Sequence, residues 1–232
     1  MTDLERADAR ASSKEETLAA CPYCGAQTAG AHFCPGCEKV LPIAAGTDYF
    51  SFFNLPRRLR LDEAELEKTF YALSRKLHPD YFMGASPEER QASVERSSML
   101  NDAYRTLRNA VARAGYLLRL EGYKEAEKKA PPELLEEVFE LNLHIEELKA
   151  AKKMGDEQEL AQARQALTEA LDGLNEKLGE IDRRLFALFD EWDVAFERGA
   201  AEDKRAALGR MSELLSHRSY IRNLVRDIKE EI

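Results

Sequence analysis

The sequence predicts an all-α protein: a helical hairpin, then a C-terminal three-helix antiparallel bundle, with a small cysteine-rich module before both. Apolar residues recur at spacings of three and four through most of the chain after residue 62, which is the period of amphipathic helices. Glycine separates the longest of these segments at residues 155 and 199. All four cysteines lie within residues 21–37.

Composition points to an ordinary globular protein rather than a membrane protein. The chain has 232 residues, of which 33% are charged, with a formal net charge of −9. No apolar run approaches the ~18 residues that a membrane-spanning helix needs. Residues 1–20 mix acidic and basic side chains, so they predict a disordered leader rather than a secretory signal or a transit peptide. A cytoplasmic location is therefore expected.

Charge is unevenly distributed along the chain. Residues 56–120 carry twelve basic and nine acidic side chains, a net +3, whereas residues 1–55 have a net −3 and residues 121–232 a net −9. This difference indicates separate partners for the two halves. The sequence has no large basic surface for nucleic acid and no segment for a membrane, so neither is expected as a partner.

The cysteine-rich module, residues 21–42, has the spacing of a structural metal site. Two Cys-x-x-Cys pairs, each with an internal proline, fold two tight turns that aim four thiolates at one ion, and Zn²⁺ prefers such a set. The predicted ligands are Cys21, Cys24, Cys34 and Cys37. A closed four-thiolate site has no open position for substrate, so the metal is expected to be structural, bracing a short module against the next domain or recruiting a partner.

Two other interpretations of the cysteines are weaker. A redox-active Cys-Pro-Tyr-Cys pair should open a helix inside a strand–helix–strand unit, and no such unit follows. Disulfides require an oxidising compartment, and no secretion signal supports one. His32 lies inside the loop between the pairs, but four cysteines already complete the ligand set of zinc.

Residues 78–82 are predicted to form the tip of a helical hairpin, with one helix on each side. Its first helix runs from Asp62 to His78 and ends there because Pro79 disfavours a helical conformation at the preceding residue. Its second helix starts at Ser86 and is expected to continue without a break to Gly122. An imidazole and a carboxylate, His78 and Asp80, then lie at the hairpin tip. Such a tip is a contact surface rather than a pocket.

This hairpin resembles a J-domain. The similarity rests on the His-Pro-Asp tripeptide at 78–80, the preceding residues 70–77, the later residues 101–107, and a short aromatic segment at 47–56. The resemblance assigns residues 47–122 to the J-domain and implies binding to a heat-shock chaperone through the tip and a positive helix face. The implied chaperone-binding residues are His78, Pro79, Asp80, Lys68, Arg75 and Lys76, with Arg57, Arg58 and Arg60 just before the helix.

The chain is more specifically similar to HscB-type co-chaperones of iron–sulfur cluster assembly. The residues that carry this similarity are Asp48-Tyr49-Phe50, His78-Pro79-Asp80-Tyr81-Phe82 and Arg113-Ala114-Gly115-Tyr116-Leu117-Leu118. The resemblance covers residues 47–232. The tetracysteine leader resembles one that some members of the family carry.

Residues 131–232 predict the three-helix bundle. A double proline at 131–132 marks the start of the first helix, and Gly155 and Gly199 mark helix ends. Apolar residues alternate at spacings of three and four in each helix, which favours antiparallel packing like that of a coiled coil. The apolar face of the first helix consists of Leu134, Val138, Leu141, Ile145 and Leu148.

Three further apolar residues, Leu135, Phe139 and Leu143, fall off that face and lie among glutamates. From the pattern alone they either form a protein-binding patch or pack on another part of the chain. In HscB-type proteins this helix, with an aromatic residue of the last helix, binds the iron–sulfur scaffold protein. The resemblance therefore implies a scaffold-binding set of Leu135, Phe139, Glu140, Leu143, Glu147 and Tyr220. Glu136 and Leu143 depart from the side-chain types common in the family.

The sequence thus predicts a co-chaperone, not an enzyme. It carries no glycine-rich phosphate loop and no nucleophile motif. By resemblance, it stimulates the ATPase of an HscA/DnaK-type chaperone and delivers an IscU-type scaffold protein to it for cluster transfer. Two alternatives remain open at this point: a general J-domain protein with another client, and a zinc-ribbon and coiled-coil adaptor with no link to a chaperone.

Overall fold

The fold, in a computed structural model that describes residues 20–123 and 132–232, is all-α as predicted. This part of the chain contains seven α-helices and no β-strand, apart from two isolated bridges, Ala20–Gln27 and Phe33–Val40. The helices are α1 (Tyr49–Phe52), α2 (Glu63–Leu77), α3 (Pro87–Arg108), α4 (Ala110–Leu120), α5 (Leu135–Met154), α6 (Glu157–Arg198) and α7 (Ala201–Glu231). Short 3₁₀ helices cover Pro79–Phe82 and Pro132–Leu134. The leader predicted at residues 1–20 lies outside the described residues, except for Ala20.

The chain packs into two compact units. The first contains residues up to Pro56 together with Glu63–Arg108, and the second contains Arg57–Asp62 together with Asn109–Ile232. These units follow from packing, whereas the predicted J-domain at 47–122 follows from resemblance and the predicted module at 21–42 and bundle at 131–232 follow from residue spacing. The domain boundaries therefore stay predictions.

The first unit is built on the α2–α3 hairpin. Leu66 and Leu77 of α2 are buried, as are Leu100, Ala103 and Leu107 of α3. The Phe70 ring stacks on the Tyr104 ring with 4.1 Å between centroids. Helix α1 packs on α3 and begins with a capping box. In that box the Ser51 N–H donates to the Asp48 carboxylate and the Asp48 N–H donates to the Ser51 hydroxyl.

The helix predicted to run from Ser86 to Gly122 is broken, and that expectation was wrong. Asn109 has extended backbone angles (φ −95°, ψ 112°), and its side-chain oxygen accepts a hydrogen bond from the Ala112 N–H at 2.9 Å. An asparagine side chain that satisfies a free backbone donor favours the start of a new helix over the continuation of an old one. The apolar spacing continues through both helices, so periodicity alone does not reveal the break.

The second unit contains α4 and the three-helix bundle. The 42-residue helix α6 is about 63 Å long at 1.5 Å per residue, and both α5 and α7 pack on it. The apolar face predicted for α5 is confirmed, since Leu134, Leu141 and Leu148 are buried. Gly155 (φ 70°) and Gly199 (φ 67°) end α5 and α6 in the left-handed conformation that glycine adopts without steric cost.

Residues 57–62 of the second unit are bound to α6 and α4. The Asp193 carboxylate of α6 accepts hydrogen bonds from the Leu59 and Arg60 N–H groups at 2.7 and 2.9 Å. The Trp192 indole N–H donates to the Arg57 carbonyl at 2.9 Å, and Arg113 of α4 donates to the Leu59 carbonyl at 3.0 Å. These contacts satisfy backbone groups on both sides of a fully buried Leu59.

Within the described part of the chain, no helix combines the length and the apolar character that crossing a membrane requires.

Candidate metal centre and protein-interaction surfaces

The four cysteines converge on one point, as their spacing predicts. Their sulfur atoms all lie within 4.8 Å of one another, with 3.8 Å between Cys21 and Cys37 and 3.5 Å between Cys24 and Cys34. Four thiolates at about 2.3 Å from a tetrahedral ion would be separated by about 3.8 Å. The four side chains therefore fit a single tetrahedral metal ion, and the residues could bind one.

The two Cys-x-x-Cys turns have matching backbone hydrogen bonds. The Gly25 N–H donates to the Cys21 carbonyl and the Glu38 N–H to the Cys34 carbonyl, both at 2.9 Å. The Tyr23 and Gly36 N–H groups point at the sulfur atoms of Cys21 and Cys34, at 3.4 and 3.3 Å. Such N–H donors stabilise the negative charge of a metal-bound thiolate.

The local environment also favours ionisation of one of these thiols. Burial acts to raise the pKa of Cys34, but the Cys37 and Gly36 N–H groups and the neighbouring cysteines outweigh it and lower the pKa to about 6. The Lys39 N–H acts to lower the pKa of Cys37, but burial and the neighbouring cysteines raise it to about 12, so the thiols titrate as one interacting set. Because the thiolate is the form that binds a metal ion, binding would release the protons that the set still holds.

Arg96 of α3 anchors the cysteine-rich module within the first unit. Its guanidinium donates to the carbonyl groups of Leu41, Ala31 and Pro42, the last two at 3.3 and 3.0 Å. The residue is 4% exposed, and burial lowers its pKa to about 10. Sequence reasoning missed this role, although a signal was available: Arg96 lies four residues after Ala92 and four before Leu100, in the buried row of α3.

His32 is not part of the cysteine cluster. Its Nδ1 lies 2.7 Å from a guanidinium nitrogen of Arg96, and its ring meets the Phe52 ring edge-on at 4.6 Å. Burial and the adjacent Arg96 charge lower the His32 pKa to about 4. At neutral pH the ring is therefore neutral, and it packs between the module and α1.

The tripeptide predicted to bind a chaperone lies at the tip of the hairpin. Helix α2 ends at Leu77, as Pro79 requires, and His78 takes extended angles (φ −62°, ψ 128°) before the 3₁₀ turn. The Asp80 N–H donates to His78 Nδ1 at 3.3 Å. The side chains of His78 and Asp80 are 53% and 78% exposed. When Nδ1 accepts this bond the ring proton is on Nε2, so both Nε2–H and the carboxylate can meet a partner.

The basic residues predicted to accompany the tip differ in their surroundings. Arg75 and Lys76 are exposed in the last turn of α2, and Lys68 lies about 11 Å further back along the helix axis. Lys68 is paired with Glu65 at 3.2 Å. The three arginines before the helix are not free cations of this surface. They pair within the second unit, Arg57 with Glu121, Arg58 with Glu197 and Arg60 with Asp190.

Helix α5 carries an exposed apolar stripe at the predicted positions. Leu135, Phe139 and Leu143 are 56%, 74% and 51% exposed. Because they are four residues apart, they line one side of the helix. Glu140 and Glu147 are also exposed, seven residues apart and beside the stripe, and Glu147 accepts from His144 at 3.0 Å. Of the two interpretations of this stripe, exposure favours the protein-binding patch.

Tyr220, the sixth residue of the predicted set, lies on α7 rather than α5. It is half-buried and one turn before Leu224, which shares a groove of about 340 Å³ with Glu140 and Leu141 of α5. Tyr220 itself does not line this groove and is not part of the stripe. The groove itself, which Gly173 and Lys177 of α6 also line, was not predicted, because it depends on how α5 and α6 pair.

Comparison with individual known proteins points to one family, although comparison with models of protein families does not. No model of a protein family matches the chain. The mouse iron–sulfur cluster co-chaperone protein HscB is 31% identical over 216 residues, which are 90% of this chain and 81% of the mouse protein. An HscB homologue of Arabidopsis thaliana is 30% identical over 201 residues, covering 85% of this chain and 71% of the homologue.

Solved structures show the same relationship. The crystal structure of human co-chaperone protein HscB covers 91% of this chain and 98% of its own, with a TM-score of 0.64 and 27% identity. Chaperone HscB from Vibrio cholerae has the same fold, with a TM-score of 0.56 and 24% identity over 79% of this chain and 96% of its own. The chain therefore belongs to the HscB family of iron–sulfur cluster co-chaperones.

Proposed function

We propose that this protein stimulates ATP hydrolysis by an HscA/DnaK-type chaperone through its tripeptide and delivers an IscU-type scaffold protein to that chaperone for cluster transfer. The observation that carries the proposal is the exposed His78-Pro79-Asp80 tip of the α2–α3 hairpin, in a chain that belongs to the HscB family. The protein itself catalyses no reaction in this scheme. It acts by contact, in the cytoplasm.

Each residue of the tip has a physical role in that contact. The Asp80 carboxylate offers a charge to a cationic group on the chaperone, and His78 adds a polar contact through its ring. Pro79 fixes the backbone between them, because its φ angle is locked. Lys68, Arg75 and Lys76 attract the chaperone over a longer range. This attraction raises the association rate and weakens as salt screens it.

The scaffold-binding surface is proposed on α5, with Tyr220 from α7. Phe139 is the apolar anchor, flanked by Leu135 and Leu143. A large aromatic residue in the centre of a contact usually carries much of its free energy. Glu140 and Glu147 would meet basic groups of the scaffold, which gives orientation and specificity. The exposure of the stripe supports this assignment.

Zn²⁺ is the metal proposed for the four cysteines. Four thiolates in tetrahedral arrangement are a soft donor set that suits Zn²⁺, and the site has no open coordination position. When bound, the ion would supply folding free energy rather than chemistry. The proposed organisation is then a metal-binding module at 21–42, a J-domain at 47–122 and a scaffold-binding bundle at 131–232.

The test is steady-state ATP hydrolysis by a purified HscA/DnaK-type chaperone, with and without this protein and an IscU-type scaffold. His78→Gln is the matched variant, since it replaces the ring while Pro79 and Asp80 stay. We expect stimulation that requires His78 and rises further with the scaffold. If stimulation is the same with and without the scaffold, the J-domain role stands and the scaffold is rejected as the client. If this protein does not stimulate ATP hydrolysis by the matched chaperone, both the J-domain role and the scaffold as client are rejected.

A further inference from the structure

The carbonyl group of Leu77 is the last one of α2 before the tip, and the helix itself does not satisfy it. In a continued α-helix the Tyr81 N–H would donate to this oxygen. The Tyr81 N–H donates instead to the His78 carbonyl, at 3.0 Å, because the chain has turned into the 3₁₀ helix. A helix-terminal carbonyl of this kind needs a partner from elsewhere.

Two serines of α3 supply the hydrogen-bond donors that the Leu77 carbonyl needs. The Ser93 and Ser97 hydroxyl groups both donate to the Leu77 carbonyl oxygen, each at 2.8 Å. A carbonyl oxygen has two lone pairs, so the two bonds saturate it. Ser93 is completely buried and Ser97 is partly buried, one turn further along the same side of α3. Neither serine is at the exposed tip.

These bonds fix the peptide plane from which the tip starts. The Leu77 carbonyl belongs to the peptide that links Leu77 to His78, so its direction sets the orientation of His78. Beyond it, the φ angle of Pro79 is locked and the Asp80 N–H is bonded to His78 Nδ1. The peptide plane at Leu77 is therefore the point at which the tip would gain freedom if it were released.

We infer that Ser93 and Ser97 are positioning residues for the tripeptide, an inference that rests on the proposed function. They do not touch the chaperone, but they keep His78 and Asp80 in one conformation. If only a fraction of the molecules holds the competent tip, the apparent dissociation constant rises by the inverse of that fraction. Loss of the serines should therefore change the concentration needed for stimulation and leave the stimulation at saturation unchanged.

The experiment compares Ser93→Ala, Ser97→Ala and the double variant with Ser98→Ala, a matched control at an exposed position of the same helix. ATPase stimulation is titrated to saturation for each. For the double variant we expect the half-maximal concentration to rise about tenfold, since a buried carbonyl without a donor is strongly disfavoured, with an unchanged plateau. Ser97→Thr, which keeps the hydroxyl, should restore the wild-type half-maximal concentration relative to Ser97→Ala.

Amide hydrogen exchange gives a second readout that needs no chaperone. The Tyr81 and Asp80 N–H groups should exchange faster in the double variant, while amides in the middle of α2 keep their protection. A double variant with a wild-type half-maximal concentration, or one with a lowered plateau and unchanged half-maximal concentration, would overturn the inference. Should the double variant fail to fold, the Ser97→Ala and Ser97→Thr pair decides by the same criteria.

This design separates the inference from the proposed function. If the wild type gives no stimulation, the proposed function has failed, and exchange at Tyr81 and Asp80 alone decides whether the serines hold the tip. If the wild type stimulates and His78→Gln does not, the proposed function stands. The titrations of the serine variants then test positioning by itself.

Discussion

At the scale of single residues, two side chains are placed against the usual preference of their type. Arg96 is charged and only 4% exposed, whereas Phe139 is aromatic and 74% exposed. The buried guanidinium satisfies carbonyl groups of the cysteine-rich module. The exposed ring is free to contact another protein. Substitution of Arg96 should therefore lower stability, whereas substitution of Phe139 should weaken binding to another protein.

Arg96→Met should destabilise the first unit by about 2–3 kcal/mol, because the carbonyls of Ala31, Leu41 and Pro42 lose a buried donor. Hydrogen exchange in segments 20–56 and 63–108 measures this change. Arg90→Met is the control, since Arg90 is an exposed arginine of the same helix and should be nearly neutral. Equal protection in the two variants would show that the anchor contributes nothing.

Phe139→Ser should weaken binding of the scaffold protein at least tenfold and leave stability within about 0.5 kcal/mol, because an exposed anchor contributes to the interface and not to the core. Titration calorimetry with an IscU-type scaffold checks the affinity. Met154→Ser removes another exposed apolar side chain of α5, 80% exposed and at the far end of the helix, and should bind normally. An equal loss of scaffold affinity in Phe139→Ser and Met154→Ser would contradict a defined binding stripe.

At the scale of elements, residues 57–62 are held on α6 by two carboxylates of different kinds. Asp193 is partly buried and accepts two backbone N–H groups, and burial raises its pKa above the ordinary value. Asp190 is exposed and pairs with the exposed Arg60 side chain at 2.8 Å. Hydrogen bonds to buried backbone groups contribute more to stability than an exposed ion pair.

Asp193→Ala should therefore cost about 2 kcal/mol, and Asp190→Ala less than about 1 kcal/mol. Urea unfolding at pH 7 followed by tryptophan fluorescence measures both, because Trp192 is the only tryptophan of the chain and is buried in the second unit. The two residues are three positions apart on one helix, so each variant serves as the other's control. A larger effect at Asp190 would mean that the side-chain ion pair fixes the segment.

At the scale of the whole molecule, the cysteine-rich module would depend on a bound metal ion for its fold more than the hairpin does. The buried core of the module holds two of its cysteines together with Leu41, with Tyr23, Ala26 and Cys37 packed against it. A core of this size does not keep so short a segment folded by itself. The α2–α3 hairpin, in contrast, has a row of buried leucines of its own.

Metal removal should thus unfold the module and leave the hairpin helices formed. After chelation, we expect the amide signals of residues 20–42 to collapse to the positions of an unfolded chain, because binding free energy is folding free energy at such a site. Signals of α2 and α3 should remain dispersed. Elemental analysis should find one zinc ion per chain in the wild type and a reduced content in Cys21→Ser. A wild type with well below one ion per chain would contradict the site.

Much of this architecture was predictable because it depends on neighbours in sequence. The cysteine spacing, the proline that ends α2 and the glycines that end α5 and α6 act locally, and each was confirmed. The break at Asn109 is also local, but its signal is one polar residue inside an apolar period, which the period conceals. The position of the apolar stripe on α5 followed from its angle to the heptad face, whereas the spacing left open whether the stripe is exposed or packs on another part of the chain.

The sequence by itself determined the helical class, the four-cysteine site and the hairpin with its tripeptide, since short-range spacing and residue type set each of them. Only the tertiary structure decided what lies against these features. Arg96 reaches the carbonyls of a module more than fifty residues away, and Ser93 and Ser97 meet Leu77 across the hairpin. The physical reason is that hydrogen bonds between distant segments depend on how helices pack, and no spacing within one segment encodes that arrangement.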